Sequence, residues 1–87
     1  MNTPEKIHTV LAGIETLLLE KNRAYGDSAL SPLRVFSSAD PVEQIKVRID
    51  DKLSRIARGK AQIESEDVIV DLTGYLVLLL VARMERP

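Results

Sequence analysis

No cysteine occurs among the 87 residues, so disulfides, zinc-thiolate sites and thiol catalysis are excluded. A reducing cytoplasm is compatible with that. Tryptophan is also absent, and two tyrosines and one phenylalanine are all the aromatic content there is. No sign of charge dominates: twelve Lys and Arg stand against thirteen Asp and Glu, for a net charge of -1. A general nucleic-acid binder carries a basic excess, so neither DNA nor RNA is expected as the main ligand. The most apolar stretch, Val68 to Ala82, contains Asp71 and falls short of the roughly 20 residues that span a bilayer. Met1-Asn2-Thr3-Pro4-Glu5 lacks the basic flank and apolar run of a signal peptide. The expectation is a cytoplasmic protein with no membrane segment. Gly-rich phosphate loops, Ser/His/Asp sets and HExxH helices are missing as well.

What is present is aliphatic. Hydrophobic residues make up 45% of the chain, more apolar surface than a few helices hide within one short chain. A single domain over residues 1–87 that shares its core with further copies, a homo-oligomer, answers both facts. Thr3-Pro4-Glu5 reads as a helix start, and Ile7, Val10, Leu11, Ile14, Leu17 and Leu18 recur at helical spacing, predicting a first helix over about 4–23. Gly26 is its expected terminator. Residues 24–40 read as a serine-rich functional loop with Pro32, in which Leu33, Val35 and Phe36 form at most one helical turn. Asp40-Pro41 repeats the cap-then-proline start, and Val42, Ile45, Ile49, Leu53 and Ile56 mark a second helix over about 41–58. A third, capped by Glu64 or Ser65, runs over about 66–86 and is apolar on nearly every side. The predicted fold is all-α: three helices, the last two an antiparallel hairpin that assembles into a four-helix-bundle-type homo-oligomer, a dimer or larger.

Asp67 and Asp71 lie four apart at the mouth of the apolar helix and therefore point the same way. An unpaired carboxylate is costly to bury, so a metal ion, a basic partner or solvent must meet this pair. Asp50 and Glu43, one heptad apart on a flank of the second helix, are the candidates to join them. Oxygen ligands from two facing helices suit magnesium, which keeps waters and takes phosphate oxygens. The alternative is structural: acids near a helix start answer the macrodipole, and Asp50 with Lys46 four before it makes a surface ion pair. The basic half of a site is Lys21, Arg23 and Tyr25 at the end of the first helix and Arg34 in the loop. Lysine, arginine and hydroxyls suit phosphate, and Tyr25 can stack on a base. Arg48, Arg55 and Arg58 share the outer side of the second helix with Asp51. There they contact a neighbouring subunit or its ligand, or simply meet solvent.

Three blocks together carry a resemblance: Lys21-Asn22-Arg23-Ala24-Tyr25-Gly26-Asp27-Ser28, then Val47-Arg48-Ile49-Asp50-Asp51-Lys52-Leu53-Ser54-Arg55-Ile56, then Glu66-Asp67 with Asp71-Leu72-Thr73-Gly74-Tyr75-Leu76. They resemble the phage-associated nucleotide modification associated domain 1 family over roughly residues 15–80. More distantly, the acidic helix pair looks like the all-α nucleotide pyrophosphohydrolases, the MazG-like and dimeric dUTPase-like group, which bind magnesium through E-x-x-E and E-x-x-D motifs. Asp71 matches the final aspartate of the second motif, whereas Val68 stands three before it and Asp67 would substitute. Glu43, Asp50 and Asp51 substitute for the first motif at other spacings. The resemblance implies a nucleotide ligand more directly than it implies catalysis. Three functions follow: a binder that holds a phosphorylated nucleotide between subunits, with Lys21, Arg23, Tyr25, Arg34, Asp51 and Arg55 as ligand contacts; a magnesium-dependent pyrophosphohydrolase using Asp50, Asp67, Asp71 and Glu43; or a structural oligomeriser. In a phage setting, in the host cytoplasm, the binder sequesters a nucleotide signal of host defence or handles modified nucleotides.

Overall fold

A computed structural model describes residues 1–32, 35–59 and 66–84, without the side chains of Glu66 and Asp67. The chain is all-α: α1 (Thr3–Tyr25), α2 (Pro41–Ala57) and α3 (Glu66–Met84). The starts of α1 and α2 have local causes, while Glu64 and Ser65, the expected caps of α3, lie outside the described residues. Asn2, not Thr3, caps α1, its side-chain oxygen accepting from the Glu5 amide at 2.9 Å. Counted from Asn2, Glu5 is the third helical residue, whose orphan N–H an asparagine cap satisfies, so Thr3 falls inside the helix. Asp40 does the same for α2 by accepting from the Glu43 amide at 2.9 Å. At the other end of α1, Gly26 takes the left-handed conformation (φ 61) that a side chain would oppose and returns its N–H to Asn22.

The core lies between α2 and α3. Val42 and Ile45 of α2 and Ala82 of α3 are buried together, with Leu30, Ile49, Tyr75, Leu78 and Leu79 packed against them. The beginning of α2 thus meets the end of α3, while Lys52 late in α2 meets Asp71 early in α3, so the two helices form the expected antiparallel hairpin. Its apolar period follows from Val42, Ile45 and Ile49, which recur at three and four residues.

The first helix is held far less. It touches α3 near Gly74, where an added Cβ would lie 3.3 Å from Leu18 Cδ2, so the missing side chain lets Leu18 in. Beyond that crossing every residue from 1 to 13 is exposed. At about 1.5 Å per residue α1 is about 34 Å long, and this overhang stretches the molecule to 47 × 32 × 26 Å. Val35 and Phe36 form no helical turn and are exposed, and Leu33 lies outside the described residues. Among the described residues no helix is long and apolar enough to cross a membrane.

Candidate functional site

A cleft of about 240 Å³ opens where α1, α2, α3 and the turn after α1 come together. Each element delivers side chains by its own periodicity. From α1, Leu17, Leu18, Lys21 and Tyr25 sit one turn apart on a single face, so an apolar floor gives way to a cation and then a ring. From α3, Val70, Asp71, Gly74, Tyr75 and Leu78 recur at three and four residues along the opposite wall. Gly74 keeps that wall low at the helix crossing. Arg48 is the α2 residue that lines it.

The rim between α1 and the loop is built by Asp27. Its backbone is left-handed (φ 61), a conformation aspartate tolerates better than most residues. Asn22 Nδ2 donates to its Oδ1 at 2.8 Å and Ser31 Oγ to its Oδ2 at 3.4 Å, while the Leu30 and Ser31 amides donate to its carbonyl. With Gly26 it forms two consecutive left-handed residues that fold the chain back, placing Ser28 and Ala29 on the cleft and Leu30 on the core.

The carboxylate of Asp71 has a basic partner. Lys52 Nζ lies 2.9 Å from Asp71 Oδ2, with side chains 22% and 33% exposed. This ion pair ties α2 to α3 at the cleft wall and answers the burial problem that the apolar helix posed. Its partial burial puts it above the roughly 0.2–1 kcal/mol of exposed pairs and below the several kcal/mol of removing one partner from a fully buried one. A double-mutant cycle over Lys52→Met and Asp71→Asn, read by urea unfolding, is expected to give a coupling of about 1–2 kcal/mol. Coupling near zero would show that the pair contributes nothing to the hairpin.

The other anticipated residues fall in different places. Lys21, Tyr25 and Asp71 line the cleft, whereas Arg23, Asp50, Asp51, Arg55 and Glu43 are exposed and do not line it. Asp51 pairs with Arg55 one turn on at 3.6 Å, and Glu43 pairs with Lys46 at 3.4 Å, contacts of the weak surface kind. Arg34 and the side chain of Asp67 lie outside the described residues. The cleft therefore offers a cation one carboxylate from the magnesium set, Asp71, and an ammonium already stands beside it. Among the described residues no three His, Cys, Asp or Glu side chains gather as a metal-binding group.

Sequence reasoning put Arg48 on the outer side of α2, away from this cleft, and did not single out Lys52, Asn22, Asp27 or Tyr75 as site residues. A signal existed for the first two: Arg48 and Lys52 are four apart on one flank of α2, and Asp50 lies on the other. Choosing between flanks needs the position of α3, which periodicity does not contain. No family model, curated protein or solved structure matches the chain.

Proposed function

We propose that this chain is a small phage-type nucleotide-binding protein. It holds a phosphorylated nucleotide, cyclic and modified forms included, in the cleft between α1 and α3 at a contact between subunits, and so withholds it from other proteins. The observation that carries the reading is convergence: Lys21 from α1 and Arg48 from α2 border one cleft together with the rings of Tyr25 and Tyr75. An ammonium and a guanidinium from two helices suit a phosphate, the arginine through paired N–H donors. Tyr25 is 69% exposed beside them and available to stack on a base. Leu17, Leu18, Val70 and Leu78 supply the apolar floor that an orienting site needs.

Size supports the subunit contact. Ligand pockets commonly enclose about 300–1,000 Å³, and the cleft of one chain encloses about 240 Å³. One copy covers part of a nucleotide and a second covers the rest. The resemblance to the nucleotide modification associated domain points to the same ligand class. Binding without turnover is favoured over hydrolysis because Asp71, the member of the magnesium set that lines the cleft among the described residues, is paired with Lys52.

The test is mass spectrometry of small molecules released from the purified protein after incubation with a mixture of linear and cyclic nucleotides and magnesium. An intact nucleotide should be recovered with the protein. Recovery of none would overturn the reading in favour of a structural oligomeriser. Release of pyrophosphate with a monophosphate would overturn it in favour of the pyrophosphohydrolase.

A further inference from the structure

Ile7, Val10 and Leu11 of α1 are 54%, 63% and 61% exposed, on the part of the helix that overhangs the hairpin. They are not scattered. Ile7, Val10, Ile14 and Leu17 alternate at three and four residues, the seam of an antiparallel or parallel coiled coil, with Leu11 and Leu18 along one border. Toward its far end the seam is half-covered, and α3 meets it at Leu18. The opposite border carries Lys6, Gly13 and Glu20, each seven residues from the next and all exposed.

We propose that α1 pairs antiparallel with α1 of a second copy about a two-fold axis passing beside Gly13, and that this contact joins the subunits. It rests on the homo-oligomer reading above and adds the surface, with no need of bound nucleotide.

Two independent features select a second copy as the occupant. The first is register. Lys6 and Glu20 stand equally far from Gly13 on the same border, so a two-fold antiparallel pair sets Lys6 of each copy against Glu20 of the other. The seam residues pair about Ala12, one residue from that centre, with Val10 against Ile14 and Ile7 against Leu17. Such self-complementarity is what an isologous contact requires, and an unrelated partner has no need of it. Among the described residues neither Lys6 nor Glu20 is in an ion pair within its own chain.

The second feature is Gly13 itself. Glycine inside a helix is destabilising relative to alanine, and nothing among the described residues of the protomer requires it here. Its φ is not positive, and a Cβ added to it would meet no atom within 4 Å. A close helix crossing at that point would account for it, because interaxial distance depends on the side chains at the contact. Two glycines facing across the axis bring the backbones close enough for the short seam to interlock.

Sedimentation equilibrium of the full chain without nucleotide tests this. The wild type should associate as a dimer or a multiple of one. Val10→Asp should weaken association at least tenfold with the helical circular-dichroism signal retained, because Val10 is exposed in the protomer. Lys6→Glu and Glu20→Lys should each weaken association at low salt, and the double exchange should restore it. That restoration separates a pairing surface from a general loss of stability. A wild type that stays monomeric at high concentration would overturn this contact and the homo-oligomer reading together. Assembly indifferent to Val10→Asp and to both single charge changes would overturn this contact alone, leaving an oligomer joined through another face.

Discussion

Arg48→Ala is expected to lower nucleotide affinity about ten- to a hundredfold, measured by isothermal titration with whichever nucleotide the protein retains. Hydrogen bonds to charged groups contribute about 1.5–3 kcal/mol, and every 1.4 kcal/mol is a factor of ten. Folding stability should barely move, because Arg48 is exposed and makes no ion pair among the described residues. Arg48→Lys keeps the charge and loses the planar pair of donors, so it should recover only part of the affinity. Lys21→Ala should act in the same direction, and raising the salt concentration should weaken binding by the wild type more than by either variant. Two controls on the same helix mark the contrast. Asp51→Ala and Arg55→Ala remove a surface pair outside the cleft and should leave affinity within about twofold, unless a second subunit brings them to the ligand. Unchanged affinity in Arg48→Ala would remove the convergence of Lys21 and Arg48 as the basis of the site.

Ile45→Ala is expected to be the most damaging single truncation of the fold, at about 2–5 kcal/mol. Ile45 is 1% exposed, and Val42, Val68 and Ala82 are the other buried apolar side chains among the described residues. A core this small has little with which to close a cavity, and the loss falls where α2 and α3 meet. For a domain of this length each kcal/mol shifts the melting temperature by about 4–8 °C, so thermal denaturation should show a fall of about 8 °C or more. Val47→Ala, two residues on but 65% exposed, should stay within about 0.5 kcal/mol. Equal losses at the two positions would mean that the α2 and α3 contact is not the centre of stability.

The aliphatic excess and the thinness of this core are two sides of one fact. A chain with 45% hydrophobic residues leaves Leu19, Leu53, Ile69, Leu76 and Leu80 about half-exposed or more, besides the face of α1. Apolar surface on that scale is what the proposed pairing of α1 with a second copy would cover, and that pairing would bring the seam to the cleft. Lys21 and Tyr25, on the same face of α1 as Ile14 and Leu18, carry the seam into the cleft.

Local chemistry is what the sequence determined by itself. A capping side chain with proline in the first turn starts α1 and α2, although the cap of α1 is Asn2 and not Thr3, Gly26 stops α1, and the three-and-four period of Val42, Ile45 and Ile49 marks the face that meets α3. These effects reach no more than four residues along the chain, so spacing alone reveals them. Lys21, Tyr25 and Asp71 were legible as candidates for the same reason: charge or a ring at a helix end, and a carboxylate where alanine or leucine would be expected. Tertiary structure decided how they are partnered. Which flank of α2 faces the cleft depends on where α3 lies against it, and that puts Arg48 rather than Asp50 on the cleft and gives Asp71 an ammonium. The gathering of Tyr25 and Tyr75 into one cleft, 50 residues apart in sequence, likewise depends on Gly74 admitting Leu18. Helix periodicity states which residues share a face, whereas what that face meets is settled by close packing between segments far apart in the chain.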